Sequence, residues 1–135
     1  MLKCGLLGKR LGHSYSPAIH ARLGDYEYRL YERDEDELGY FLKNGDWNGL
    51  NVTIPYKKAV VRFCDTLSDV AAKTGSVNTL VKREDGSIYG DNTDVYGFFD
   101  MAVRSRVRFE GRKVLVLGSG GASSAVCAAL GLLKA

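Results

Sequence analysis

The chain lacks the features that would place it at once in several large classes. It has only three cysteines, Cys4, Cys64 and Cys127, and no C-x-x-C spacing, so neither a disulfide framework nor a zinc site is expected, and no other metal site is read. Cys4 and Cys127 sit in apolar runs and read as small core residues. No excess of one charge stands out: 19 Lys and Arg against 16 Asp and Glu leave +3. The densest basic group, Arg104, Arg106 and Arg108, reads as a solvated face near a helix end, so no nucleic-acid partner is expected. No apolar run reaches the roughly 18 residues of a membrane span, and the opening lacks the apolar core of a secretory signal. A cytoplasmic, reducing setting with no membrane contact is the expectation. Repeats and low-complexity tracts are also missing.

What remains is ordinary globular composition, 45% hydrophobic and 26% charged over 135 residues, in which strand-like and helix-like segments alternate. Cys4 to Gly8 is a short apolar run ending in glycine. Ser16-Pro17 opens a helix with Ser16 as N-cap, Ile19 and Leu23 inward with His20 as a further candidate for that face, and Gly24 as its stop. Tyr26 to Tyr31 alternates as a strand, and Asp34 to Lys43 carries Leu38, Phe41 and Leu42 at helical spacing. A strand from Gly49 to Ile54 is followed by helices from Pro55 to about Cys64 and from Leu67 to Thr74. Val77 to Val81 and Ile88 to Gly90 flank Glu84-Asp85-Gly86-Ser87, a hairpin turn. Asp94 to about Val107 is a longer helix with Phe98, Phe99, Met101 and Ala102 on its buried side. Val114 to Leu117 is a continuous apolar run typical of a parallel strand covered on both faces, and Ala122 to Leu133 is helical. The fold class is α/β: a mostly parallel sheet with helices on both faces, residues 1–109, followed by the start of a Rossmann unit, residues 110–135.

Two stretches carry chemistry. Gly49-Leu50-Asn51-Val52-Thr53-Ile54-Pro55-Tyr56-Lys57 places a lysine and small polar groups beside a strand, and Gly90-Asp91-Asn92-Thr93-Asp94 places amides, a hydroxyl and carboxylates after another. If the strands share a sheet their ends can meet, and a lysine beside a carboxylate can move a proton on a polyhydroxylated ligand. The turn Gly118-Ser119-Gly120-Gly121-Ala122-Ser123 follows an apolar strand and opens a helix, the context in which glycines let backbone amides approach a pyrophosphate.

In that order, His13-Ser14-Tyr15-Ser16-Pro17, Asn51 to Lys57, Ser76-Val77-Asn78-Thr79-Leu80, Asp91-Asn92-Thr93-Asp94 with Gly97-Phe98, and the glycine turn resemble the N-terminal half of the shikimate dehydrogenases. These enzymes reduce 3-dehydroshikimate to shikimate with NADPH in aromatic amino-acid biosynthesis. The resemblance implies that Ser14 and Ser16 bind the substrate carboxylate, and that Thr53, Asn78 and Asp94 bond its ring hydroxyls. It implies that Lys57 and Asp94 are catalytic, while Asn51 shapes its loop. The glycine turn, Gly118 to Ser123, would hold NADP; NADP over NAD is implied by the family and by no residue present. Serine at both 14 and 16 leans towards shikimate over quinate, and Ser76 stands where the family often has alanine. A non-catalytic shikimate- or quinate-binding module and an NAD-using quinate/shikimate dehydrogenase are the alternatives. Residues 113–135, apolar and in need of cover, are expected to pack on a second copy, to swap between copies as a homodimer, or to fill the place of a C-terminal helix.

Overall fold

Side-chain alternation divides the sheet into a core face and a face that carries polar groups. In β3 (Gly49–Val52), Leu50 and Val52 are buried, whereas Gly49 and Asn51 point the other way and are only half-buried. The computed structural model describes residues 1–135, and the remaining elements are β1 (Lys3–Gly8), α1 (Ser16–His20), β2 (Glu27–Glu32), α2 (Leu38–Asn44), β4 (Thr66–Leu67), α3 (Asp69–Thr74), β5 (Thr79–Lys82), β6 (Ile88–Asp91), α4 (Asp94–Arg104) and α5 (Gly121–Leu132). Two 3₁₀ segments, Glu35–Glu37 and Ala59–Phe63, complete the chain.

The six strands form one sheet in the order β2-β1-β3-β5-β6-β4. β1 runs parallel to β2 and β3, and β4 parallel to β6, while β5 is antiparallel to both of its neighbours. On the core face Leu7, Leu50, Val52 and Leu80 meet Leu38, Phe41 and Leu42 of α2 and Val60 of the second 3₁₀ segment. Trp47 and Tyr56 close this cluster, and each buried polar tip finds a carbonyl: the Tyr56 hydroxyl donates to Arg33 O at 2.7 Å, and the Trp47 indole N–H to Phe41 O at 3.4 Å. The first 3₁₀ segment starts in a capping box between Asp34 and Glu37. α3 starts on Ser68, whose hydroxyl accepts the Ala71 amide at 3.0 Å, and stops at left-handed Gly75. No helix is long and apolar enough to cross a membrane.

Several local expectations are corrected. The first helix is a single turn whose N-cap is Tyr15, and Ser14, not Ser16, supplies the hydroxyl that accepts the Ser16 amide at 3.2 Å. Ile19 and Leu23 are exposed, because the side chain that packs from this helix is His20, stacked on Tyr28. The segment after Pro55 forms turns and then a 3₁₀ helix, and Thr66–Leu67 precedes α3 as a short strand beside β6. Met101 is exposed, since the buried stripe of α4 runs through Val95 and Ala102. Cys127 is exposed on α5, which turns Ala125 and Ala129 inward instead. Residues 114–117 form no strand: no neighbouring strand meets their amides and carbonyls, and Leu115 and Leu117 stand open. α5 nevertheless has cover from within its own chain, where Ala125 and Ala129 pack with Val95 of α4 and Val70 of α3.

Two measurements follow from this division of buried and open side chains. Leu80→Ala, in the middle of the core face, is expected to lower unfolding free energy by about 2–5 kcal/mol in urea titration, and Leu115→Ala by less than about 0.5 kcal/mol. Similar losses for both would contradict the unpaired, open placement of residues 114–117. Burial, with a smaller contribution from Asp65, pushes the Cys64 thiol up to about 11, so little thiolate forms at lower pH. With iodoacetamide at pH 8, mass spectrometry should find Cys127 alkylated first and Cys64 last; equal rates would refute that order.

Candidate active site

Strand directions gather the candidate residues at one edge of the sheet. β1 and β3 are parallel, so the segments that leave them, the Ser14–Ser16 turn and the Thr53–Lys57 turn, emerge side by side. β5 is antiparallel to β3 and β6 to β5, so Asn78 enters the sheet and Asp94 leaves it at that same edge. The region beyond the carboxyl ends of strands is where ligands bind in open α/β sheets.

Lys57 is held from its backbone. Buried Tyr56 anchors the residue before it, and the Lys57 carbonyl accepts the Val77 amide at 2.7 Å. Its ammonium then donates to Asp94 Oδ2 at 2.6 Å, an ion pair whose side chains are 18% and 35% exposed. Asp94 sits in the first turn of α4, where the helix dipole favours a negative charge.

Asn78 fixes the other carboxylate oxygen. Its side-chain NH₂ donates to Asp94 Oδ1 and to Thr93 Oγ1, both at 2.9 Å. Its side-chain oxygen accepts the Thr93 amide and the Thr79 hydroxyl, also at 2.9 Å. The main chain of Asn78 is engaged as well, donating to Asp91 O and accepting from the Val52 amide. Asp94 is therefore oriented on one oxygen by Lys57 and on the other by Asn78, and the ammonium keeps further N–H groups for a ligand.

Ser14 and Thr53 form a second group, lining one cleft with Leu6, Leu11 and Pro55. No direct bond links them to Lys57. Since the Ser14 hydroxyl accepts the Ser16 amide ahead of the helix, the Ser16 hydroxyl is not spent on a cap. No cluster of three or more His, Cys, Asp or Glu side chains of the kind that holds a metal is present.

The glycine turn lies against this site. Lys58 Nζ donates to Ser119 O at 2.9 Å, and the Ser123 hydroxyl donates to Gly118 O at 2.8 Å. Gly118 has φ +134°, a conformation that favours glycine. A methyl group at position 121 would come within 2.6 Å of the Ser76 hydroxyl oxygen and 2.7 Å of Lys57 Cβ. The turn, its glycine backbone and the start of α5 suit a phosphate group, with Ala122 and Ser123 in the first turn of the helix. Sequence reasoning missed Thr93, Thr79 and Lys58 as partners; their contacts join segments distant in sequence, and only the polar density of Gly90 to Asp94 hinted at the first.

Comparisons with known proteins agree on one relationship. A family model described as shikimate dehydrogenase substrate binding domain matches residues 6–80. The curated shikimate dehydrogenase (NADP(+)) of Clostridium beijerinckii is 40% identical over 130 residues, covering 90% of this chain and 48% of the relative. The solved shikimate 5-dehydrogenase of Thermus thermophilus, in complex with shikimate, superposes with a TM-score of 0.88 at 36% identity, over 98% of this chain and 53% of that one. A quinate dehydrogenase from Corynebacterium glutamicum, in complex with NAD, gives 0.81 at 32% identity, over 98% and 51%. The chain spans about half the length of the curated relatives it matches.

Because Asn78 satisfies Thr93 and Asp94 together, Asn78→Ala should cost about 1–3 kcal/mol of stability through the groups left unpaired. Urea unfolding at pH 7 checks this, and an unchanged midpoint would mean that solvent replaces the amide fully.

Proposed function

This chain belongs to the shikimate dehydrogenase family through its substrate binding domain, and from that premise we propose that it binds shikimate and 3-dehydroshikimate and moves the proton in their NADP-dependent interconversion. In this reading residues 1–109 form the substrate domain, and residues 110–135 the first βα unit of a dinucleotide-binding domain. Its place is the shikimate route to chorismate and the aromatic amino acids. The observation that carries the reading is the 2.6 Å pair between Lys57 and Asp94 at the carboxyl edge of the sheet, beside a glycine turn suited to a dinucleotide phosphate.

The nicotinamide cofactor, when bound, supplies a hydride to the ketone carbon. The ketone oxygen must then gain a proton, and the Lys57 ammonium donates it and stabilises the developing alkoxide. Asp94 holds the lysine ammonium in place through their 2.6 Å ion pair and accepts a hydrogen bond from a ring hydroxyl. In the reverse direction Lys57 takes the proton back. Thr53 bonds a further ring hydroxyl, the hydroxyls of Ser14 and Ser16 donate to the carboxylate, and Asn78, whose amide is spent on Asp94, Thr93 and Thr79, keeps the Asp94 carboxylate in place. Retention of both serines favours shikimate over quinate.

Two experiments test this. Shikimate titrated into the purified chain should shift the amide NMR signals of residues 14–16, 53, 54, 56, 57 and 78 saturably; no shift at millimolar ligand would overturn the binding reading. In this chain joined to the cofactor-binding half of a relative, Lys57→Ala should lower kcat about 10²-fold or more while changing shikimate affinity far less. An unchanged kcat with a raised KM would reduce Lys57 to a binding residue.

A further inference from the structure

The serine turn sits on an unusual support. No residue of α1 is buried, so apolar packing does not fix the helix that carries Ser16. Its anchor is aromatic: the His20 ring lies on the Tyr28 ring with centroids 3.8 Å apart and planes 14° apart, and His20 Nδ1 bonds the Tyr26 hydroxyl at 2.6 Å. Ser16 and His20 are four residues apart and share one face of that helical turn, so the side of α1 resting on Tyr28 is the side that presents Ser16. The Tyr28 ring is on the polar face of the sheet, since its register partner Cys4 pairs in turn with Gly49.

Beyond the stack, the Tyr28 hydroxyl donates to Asn51 Oδ1 at 2.8 Å. Asn51 lies on β3 two residues before Thr53, in the segment that continues to Lys57. One phenol therefore touches both supports of the site, α1 through its ring and β3 through its hydroxyl. Burial pushes this phenol up to about 12, so the hydroxyl keeps its proton at ordinary pH and remains a donor to Asn51.

We infer that Tyr28 is a positioning residue for the carboxylate end of the ligand: by joining α1 to β3 it sets the height and angle at which the Ser16 hydroxyl meets an anion. This rests on the reading of the site as a shikimate site. Tyr28 touches neither the reacting oxygen nor Lys57, and of the ligand-facing groups the Ser16 hydroxyl depends on it most, because α1 has no buried residue of its own to fix it.

The experiment compares two ligands, shikimate and its methyl ester, whose rings match but whose charges differ. Calorimetric titration of the protein with each should show Tyr28→Phe binding shikimate about tenfold more weakly, a loss in the range of a charge-assisted hydrogen bond, with the ester nearly unaffected. In a Ser16→Ala background Tyr28→Phe should cause no further loss, since the two act in series. His20→Leu, which removes the stack from the helix side and leaves the sheet intact, should show the same selective loss and serves if Tyr28→Phe fails to fold. Equal losses for both ligands, no loss for either, or additive losses with Ser16→Ala overturn the inference while the shikimate reading stands. A wild-type protein that binds neither ligand overturns both.

Discussion

The carboxamide of Asn78 is the constraint on which the site depends. It is almost fully buried, and its donors and acceptor are matched by Asp94, Thr93 and Thr79, while its main chain joins β3 to β6. A buried amide is tolerable only when its hydrogen bonds are made, so the network has one satisfactory arrangement. In it, Asp94 cannot turn towards solvent without releasing Asn78, and Lys57 gains a fixed counter-charge instead of a mobile one. The proposed proton transfer draws on that fixity, because a donor held in place needs little reorganisation when charge develops on the ligand.

The sheet separates two tasks by parity. Residues of one parity, Leu7, Leu50, Val52 and Leu80, make the core with α2, while Asn51 and Tyr28 face the polar side. The polar groups are thus carried on strands that the core holds rigid from behind. α1 is the exception: with no buried residue of its own, it borrows its placement from an aromatic stack. Such a helix stands at the low end of local stability, where elements that adjust to ligands are drawn from.

Much of this was legible beforehand, for physical reasons. α2 declared itself through Leu38, Phe41 and Leu42, and the β5–β6 hairpin through a glycine turn between alternating runs, because local periodicity and turn chemistry act over few residues. The meeting of Lys57, Asn78 and Asp94 was legible only through their motifs, since their separations in sequence carry no periodicity. Thr66–Leu67 escaped because two residues define no alternation. Ser16 was misread as a cap because Ser14, two residues earlier, offers the same hydroxyl, and local sequence does not rank them. Residues 114–117 have the composition of a covered strand, but composition does not supply a neighbour.

The close approach at Gly121 also bears on how such a chain can change over generations. The start of α5 rests directly on the stem of Lys57 and the hydroxyl of Ser76, without room for one added carbon. Drift at the glycine turn is therefore not independent of drift at the Lys57 end of the proposed site: gaining a side chain at 121 would demand a compensating retreat at 57 or 76. Ser76 is the more dispensable neighbour, as its buried hydroxyl has no hydrogen-bond partner. The glycine turn and the Lys57 segment share a wall, and a lineage that altered one would have to renegotiate the other.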